Sequence, residues 1–326
     1  MAVLPPHRRG APDAGGPARA ARRIPSMIDL HAHTTASDGS CTPSELVELA
    51  RRTGLAALAV TDHDTVGGVA EAVQAAAAAG VALVPGIELS VDYPQGEFHL
   101  LGYYIDYTDS RFLERVLYLQ ENRFQRNAVM LRKIQAAGFD LSMEEIEAES
   151  GGGQIGRPHM ARALLKKGYV ASVQEAFDRY LADGQPLHVP KVKLSPEEAI
   201  GLIHQAGGVA VLAHPKYLEF PTRDALRSAL AGWKAAGLDG LECYYSQHSE
   251  GETEAYLELA RELALLVTGG SDFHGISKPD VVLGVVYQGT GGDDRLLGPL
   301  KQAGAARAAQ RKSAGGKVAP AERGSE

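Results

Sequence analysis

Cysteine, aromatic residues and long apolar runs are all scarce in this chain of 326 residues. Two cysteines, Cys41 and Cys243, are too few for a disulfide framework, so we expect a protein of the reducing cytoplasm. No run of about 18 apolar residues is present, which argues against a transmembrane helix and a membrane partner. Aromatic residues make up only 6% of the chain, but a hydrophobic content of 44% still matches a globular protein.

Positive charge is scarce over most of the chain. The formal net charge is −7, and because the end segments 1–26 and 301–326 each carry +4, the segment 27–300 carries −15. A general nucleic-acid binder would show a basic core, so we expect no duplex DNA partner. An acidic central segment instead suits a protein that gathers carboxylates around cations.

The domain organisation follows from the apolar pattern. The end segments 1–26 and 301–326 show no apolar periodicity and are interpreted as disordered tails, with the functional chain expected to begin at Met27. Between them, apolar runs alternate with helical patterns, which predicts an α/β barrel of seven or eight parallel strands over 27–108 and 193–300. Residues 109–192 break this alternation and are predicted to be a helical insertion. The strand candidates are Met27–Leu30, Leu55–Val60, Val81–Leu89, Phe98–Ile105, Val209–Ala213, Gly240–Tyr244, Leu265–Gly269 and, last, Val281–Tyr287.

Histidines and carboxylates fall within or after these predicted strands. Two residues one apart on an extended segment point to the same side, so His31 with His33, and Asp272 with His274, can each face one centre. Barrel active sites are built at the carboxyl ends of the strands. The candidate metal ligands are His31, His33, Asp38, His63, Glu88, His99, His214, Asp272 and His274.

This donor set predicts a metal centre. Imidazoles with a minority of carboxylates suit Mn, Zn or Fe, with Mn favoured here, rather than Ca or Mg. Nine candidates exceed the needs of one ion and imply two or three divalent ions. Closely spaced ions that share a bridging hydroxide are suited to hydrolysing a phosphate ester. Each motif alone has a structural explanation, such as helix capping for Asp62-His63-Asp64, but their coincidence at strand ends favours the metal centre.

Several motifs together resemble the PHP (polymerase and histidinol phosphatase) family over roughly residues 27–285. They are Asp29-Leu30-His31-Ala32-His33, Thr61-Asp62-His63-Asp64, Gly86-Ile87-Glu88, Ala213-His214-Pro215 and Ser271-Asp272-Phe273-His274. The resemblance implies a distorted (β/α)7 barrel, a trinuclear metal centre and phosphoesterase activity. It further implies one ion held by His31, His33, Glu88 and Asp272, a second by Glu88, His99 and His214, and a third by Asp38, His63 and His274.

A subgroup of that family carries a helical insertion and a segment such as Gly156-Arg157-Pro158-His159. It is similar to the 3′,5′-nucleoside bisphosphate phosphatases and the 5′→3′ exoribonucleases of short RNA. The resemblance implies hydrolysis of a small nucleotide or of the 5′ end of short RNA through a metal-bridging hydroxide. Arg157 and His159 are expected to clamp a phosphate that does not react. Arg126 is a further substrate-binding candidate, for which a solvated helix face is the alternative.

Two further residues are candidates for catalysis. Asp64 is a candidate proton relay, with helix capping as the alternative. His248 follows a predicted strand and could contact substrate or protonate the leaving group, with a place at the surface start of a helix as the alternative. Two other functions also remain open: a histidinol-phosphate phosphatase, and a non-enzymatic, inert metal-binding module. The insertion argues against the first, and the presence of all nine ligand types argues against the second.

Overall fold

The computed structural model describes residues 26–150, 153–287 and 292–315. Within them, eight strands form one sheet in the order β7-β6-β5-β4-β3-β2-β1-β8. The strands are β1 (Met27–Asp29), β2 (Ala57–Val60), β3 (Ala82–Val91), β4 (Phe98–Tyr103), β5 (Val209–Leu212), β6 (Gly240–Tyr245), β7 (Leu266–Gly270) and β8 (Gly292–Asp293). The sheet curls until β7 meets β1, where Leu30 N donates to Gly269 O at 3.2 Å and Asp272 N donates to His31 O at 2.8 Å. The predicted α/β barrel is therefore confirmed.

The expectation of an all-parallel sheet is wrong at β8, which runs antiparallel to β1, and at β4. This strand runs antiparallel to both β3 and β5. The link from β3 to β4 spans only residues 92–97, whereas a parallel crossover needs a dozen residues or more. Gly96 turns this link with a φ of 85°, a left-handed conformation that favours glycine. The register that results pairs Ser90 with His99.

Helices surround the barrel and fill the predicted insertion. They are α1 (Pro43–Thr53), α2 (Val69–Ala79), α3 (Ser110–Ala136), α4 (Met143–Ser150), α5 (Arg157–Lys166), α6 (Val173–Ala176), α7 (Pro196–Gln205), α8 (Arg223–Ala235), α9 (Glu250–Glu262) and α10 (Leu297–Gly315). Capping boxes with a Ser or Thr at the N-cap fix where α1, α7 and α9 begin, at Thr42, Ser195 and Ser249. Among the described residues, no helix combines the length and the apolarity needed to cross a bilayer.

The insertion between β4 and β5 has an apolar core of its own. Met130 and Ile134 from the second half of α3 pack there with side chains of α4 and α5. The first half of α3 packs instead against the barrel through Phe112 and Val116. One long helix therefore connects the two cores and fixes where its middle residues lie relative to the barrel rim.

The C-terminal segment differs from the prediction of a tail. Residues 301–315 belong to α10, so the tail assignment is wrong for them, while residues 1–25 and 316–326 lie outside the described part. Leu300 is buried with side chains of five strands in the inner cluster of the barrel. Arg307 binds Asp239 at 2.5 Å, and Arg311 binds Asp106 at 2.6 Å. The helix is rich in alanine and docks through these few residues. Its sequence therefore shows no apolar stripe.

The last strand candidate, Val281–Tyr287, is also wrong. Gly284 has a φ of 83° and donates its N–H to the Asp29 carboxylate at 2.8 Å. This left-handed turn interrupts the extended conformation that a strand requires. The neighbour of β1 on that side is the short β8 instead.

The docking of α10 can be tested at its buried leucine. We expect Leu300→Ala to lower the free energy of unfolding by about 2–5 kcal/mol, because it leaves a cavity in the inner barrel cluster. Lys301→Ala, at the exposed neighbouring position, should change it by less than about 0.5 kcal/mol. Urea unfolding measures both variants, and equal effects would show that α10 does not complete the barrel core.

Candidate metal centre

The nine predicted ligands converge at one rim of the barrel. His31 and His33 follow β1, His63 follows β2, and His214 follows β5. Because β4 is antiparallel, the start of this strand lies at the same rim as the ends of its parallel neighbours. His99, the second residue of β4, is thereby brought beside Glu88 of β3. In a parallel strand, His99 would lie at the opposite end of the barrel. The antiparallel direction of β4 thus adds its imidazole to the centre.

Glu88 lies in the middle of this cluster and is fully buried. Five imidazole nitrogens surround its two oxygens at 3.0–3.3 Å: Nε2 of His31, Nε2 of His33 and Nδ1 of His63 near Oε2, and Nδ1 of His99 and Nε2 of His214 near Oε1. Burial by itself would raise the pKa of the Glu88 carboxyl, but His63, His31 and His99 hold it well below its usual range. The carboxylate is therefore ionised and available to bridge cations.

Asp272 and Asp38 extend the cluster on the other side of His33. Asp272 Oδ1 lies 3.2 Å from His33 Nε2, and Asp38 Oδ1 lies 3.3 Å from His274 Nε2. Three sets have donor atoms within 4.8 Å of one another: His31, His33, Glu88 and Asp272; His33, Asp38, His63 and His274; and His63, Glu88 and His99. His214 lies next to the third set: its Nε2 is 3.0 Å from Glu88 Oε1 and 3.4 Å from His99 Nδ1. The structure thus brings all nine predicted residues together.

The donor atoms of this cluster fit divalent cations. Several are buried without a hydrogen-bond partner, a condition that folded proteins rarely leave uncompensated. They include His31 Nε2, both ring nitrogens of His33, Asp38 Oδ1, His63 Nδ1 and Glu88 Oε2. Bound cations would satisfy these atoms and offset the carboxylate charges. The mixture of imidazole and carboxylate donors matches Mn, Zn or Fe.

Unusual backbone conformations are concentrated at this rim. Among the described residues, five that are not glycine have a positive φ, and His214, Asp272 and Asp64 are three of them, at 23°, 59° and 50°. Such conformations cost of order 1–3 kcal/mol and persist only where the surroundings enforce them. Here the strained residues are two of the predicted ligands, His214 and Asp272, and Asp64, which follows His63. The backbone is therefore strained where the site is built.

The sequence analysis missed Glu242, a fully buried residue of β6. Its carboxylate accepts hydrogen bonds from His31 Nδ1 at 3.1 Å and from His214 N at 2.8 Å. The first contact leaves His31 Nε2 free to bind a cation, which is the usual arrangement of a carboxylate behind a metal-bound histidine. An acid in an otherwise apolar strand was the signal that could have identified it.

Other residues position the acidic ligands. Tyr245 donates its hydroxyl to Asp272 Oδ2 at 2.9 Å, and Lys278 Nζ lies 2.6 Å from the same oxygen. Asp62 accepts from Thr34 N at 2.7 Å and from Ser37 Oγ at 2.6 Å. Asp62 therefore holds the loop that carries Asp38.

Asp64 connects the metal centre to a group of cations from the insertion. Its carboxylate accepts from Ser90 N at 2.8 Å, from Lys191 Nζ at 2.8 Å and from the Arg123 guanidinium. It does not cap α2, whose N-cap is Gly68, so the capping alternative is wrong. Both carboxylate oxygens hold cationic or amide donors in place.

The predicted substrate-binding residues have different surroundings. Arg126 is buried, and no carboxylate of the described residues lies within ion-pair distance of it. Burial, together with Arg123 and Arg157, lowers its pKa to about 9. Arg157 is more exposed and pairs with Asp183 at 2.5 Å. Arg126 is thus a buried cation without a direct ion pair among the described residues. Asp64 and Asp183 act on it only from a distance, and its Nη1 donates to Met130 Sδ at 2.8 Å.

His159 presents a hydrogen-bond donor. Its Nδ1 accepts from Gly156 N at 2.8 Å, so the ring hydrogen must lie on Nε2. That Nε2 is buried without a partner. Burial, with Arg162 nearby, lowers the pKa of His159 to about 4, so the ring is neutral near pH 7.

His248, the second catalytic candidate, lies behind the cluster. Its Nδ1 is 3.0 Å from the carbonyl oxygen of Cys243, and its ring packs on Tyr245 and Tyr256 at centroid distances of 5.0 and 4.8 Å. His248 contacts the cluster only indirectly, because its ring packs on Tyr245 and Tyr245 donates to Asp272. The alternative, a place at the surface start of a helix, is wrong only in exposure: His248 directly precedes Ser249, the N-cap of α9, but its side chain is buried.

Comparisons with known proteins agree with this geometry. The PHP domain family model matches residues 29–186. The chain is 36% identical to the 5′-3′ exoribonuclease Rnm of Escherichia coli over 76% of this chain and 85% of the relative. It is 35% identical to the 3′,5′-nucleoside bisphosphate phosphatase of Chromobacterium violaceum over 76% of this chain and 87% of the relative.

A solved structure leads to the same family. A Bifidobacterium adolescentis protein classed as a metal-dependent phosphoesterase superposes with a TM-score of 0.76 at 30% identity, over 86% of this chain and 98% of the other. The shared barrel, the His and carboxylate sets at its rim and these relatives lead to one conclusion. The chain belongs to the PHP family and is a metal-dependent phosphoesterase.

Proposed function

We propose that this phosphoesterase hydrolyses a nucleoside 3′,5′-bisphosphate or the first phosphodiester at the 5′ end of a short RNA. The observation that carries the proposal is the buried guanidinium of Arg126, which has no carboxylate at ion-pair distance among the described residues and lies near Arg123 and Lys191. This group of cations is joined to the rim by Asp64, the residue that follows His63. A substrate with one phosphate at the metals and a second phosphate near Arg126 fits both features.

The names of the relatives support this choice of substrate. One is named for a nucleoside with two phosphates, and the other for an RNA degraded from its 5′ end. Recognition of a 5′ end requires a group that binds the terminal phosphate, and arginine suits this through bidentate contact. Histidinol phosphate has a single phosphate and would leave the Arg126 group without a ligand.

The residues around the site have separable roles in this proposal. Two or three divalent ions, with manganese favoured, would be held by the nine ligands and would supply an activated water and charge neutralisation at the reacting phosphate. Arg126, with Arg123 and Lys191, binds the phosphate that does not react. His159 donates its Nε2–H to a phosphoryl oxygen, and Arg157, already paired with Asp183, contributes a weaker contact at the edge.

Asp64 and His248 take positioning roles rather than proton transfer. Asp64 accepts hydrogen bonds from Lys191, Ser90 and Arg123. Asp64 therefore sets the distance between the phosphate-binding group and the metal centre. His248 supports Tyr245, which in turn holds Asp272.

We also propose the partners and the cellular location of the protein. Small phosphorylated nucleotides or short RNA are the partners, and duplex DNA and membranes are not. The two cysteines, Cys41 and Cys243, are free thiols. Free thiols suit the reducing cytoplasm, which we propose as the location.

The substrate proposal is tested by a panel on metal-depleted and refilled protein. We expect turnover of a nucleoside 3′,5′-bisphosphate and of a short 5′-phosphorylated RNA, with rates lost on chelation and restored by Mn²⁺. His33→Ala should abolish turnover while circular dichroism remains native, because His33 belongs to two of the donor sets. A marked preference for histidinol phosphate would contradict the proposal, and so would undiminished activity after metal removal.

The role of Arg126 is tested by comparing one and two phosphates. We expect Arg126→Gln to raise KM for the bisphosphate by about tenfold with little change in kcat, because the contact persists from ground state to transition state. Hydrolysis of the matching nucleoside 3′-monophosphate should change much less. Arg132→Gln, at an exposed position of α3, is the control. Equal losses on both substrates would place Arg126 outside the second phosphate site.

Glu242 is tested by removing its charge. We expect Glu242→Gln to weaken metal affinity by about 10–100-fold, since an amide holds the His31 ring less firmly and polarises it less. Glu252→Gln, which alters only a helix-capping carboxylate of α9, should leave metal affinity unchanged. Competition with a chelator measures both variants, and equal affinities would show that Glu242 acts only in packing.

A further inference from the structure

A cleft of about 810 Å³ lies beside the metal centre, between the middle of α3 and the loops that follow β1 and β2. On the barrel side its lining includes Thr35, two residues after His33, and Thr65, two residues after His63. Arg123 also lines it and donates to Asp64. The cleft therefore shares its walls with both the ligand-bearing loops and the phosphate-binding group.

One wall of the cleft presents an aromatic ring to solvent. Phe124 of α3 is 56% exposed, and Leu117, two turns earlier on the same face, is 60% exposed. Both side chains line the cleft. The loop that leads into α2 contributes Gly67 and Gly68 to the lining, and Gly68 lets this loop pack closely against Thr34 and Asp62. A flat apolar face beside unfilled space suits a planar ligand.

The same lining holds polar atoms that the described residues do not satisfy. Asn127 is 2% exposed, and its Oδ1 has no hydrogen-bond partner, although its Nδ2 donates to Ile155 O at 2.9 Å. Both side-chain amide atoms of Gln154 are buried and unpartnered as well. A buried acceptor and an unpaired amide next to an aromatic ring match the edge and the face of a nucleobase.

From this arrangement we infer that the cleft binds the base of the 5′-terminal nucleotide of the substrate. The inference rests on the proposed function, because a nucleotide held at the metals and at Arg126 would have its ribose next to Arg123. The base then enters the cleft, where it stacks on Phe124 and reaches the amides of Asn127 and Gln154. Stacking tolerates all four bases, since each has a π face.

The test compares two substrates that differ only in the base. Adenosine 3′,5′-bisphosphate and the abasic ribose 3′,5′-bisphosphate are assayed under the same conditions. The wild-type protein should prefer the nucleotide by about tenfold or more in kcat/KM, mainly through KM. Phe124→Ala should bring this ratio close to one, and Phe124→Trp should retain it. A tenfold change corresponds to about 1.4 kcal/mol, within the range found for one base stacked on an aromatic side chain.

Tyr118→Ala is the matched control. Tyr118 is an exposed aromatic residue of the same helix that lines a different groove, so its loss should leave the substrate ratio unchanged. An equal ratio for Phe124→Ala and wild type would overturn the inference, and so would the same drop in Tyr118→Ala. If both bisphosphates are hydrolysed equally well by wild type, only the inference falls. If neither is hydrolysed, the proposed function falls with it.

Discussion

A buried, ionised carboxylate is the constraint on which this molecule depends. Glu88 has no exposed surface, and an isolated charge at such a depth would cost far more than a domain's whole stability margin. Five imidazoles around its oxygens lower that cost, and cations bridged by the carboxylate would lower it further. The fold is organised to deliver those imidazoles to one point. Strand ends, an antiparallel β4 and left-handed residues at the rim all serve this arrangement.

Charge in the site is divided between two regions. The metal centre collects carboxylates and imidazoles, while the insertion contributes Arg123, Arg126 and Lys191. Asp64 lies between the two regions and fixes their separation through direct contacts with two of the cations. A ligand with two anionic groups complements such a surface better than one with a single group. In the proposed function, the insertion selects the substrate and the barrel carries out the chemistry.

The nine clustered residues could be predicted from the sequence because metal chemistry restricts residue type so strongly. A histidine pair such as His31-Ala32-His33 is common by itself, but its coincidence with acids at several strand ends is informative. The direction of β4 could not be predicted from its apolar pattern, since a buried strand looks the same in either orientation. The length of the link over residues 92–97 was the available signal. Glu242 was missed because a single acid in a strand has many explanations until its partners are known.

The C-terminal helix shows a different limit. Its docking depends on Leu300, Arg307 and Arg311, and residues spaced this widely do not form the apolar stripe by which a packed helix is identified. Arg126 shows the opposite case, in which a charge on a helix was expected to face solvent as readily as substrate. Only the packing of α3 against the insertion reveals that the guanidinium is buried. Burial of a single charge is a tertiary property that periodicity does not encode.

We expect one cluster of cations to be held in common by the nine side chains around Glu88. Crystals grown with Mn²⁺ and measured at the manganese absorption edge test it most directly. We expect two or three anomalous peaks, with at least two of them about 2 Å from the oxygens of Glu88. A single peak away from Glu88, or none at the rim of the barrel, would contradict it.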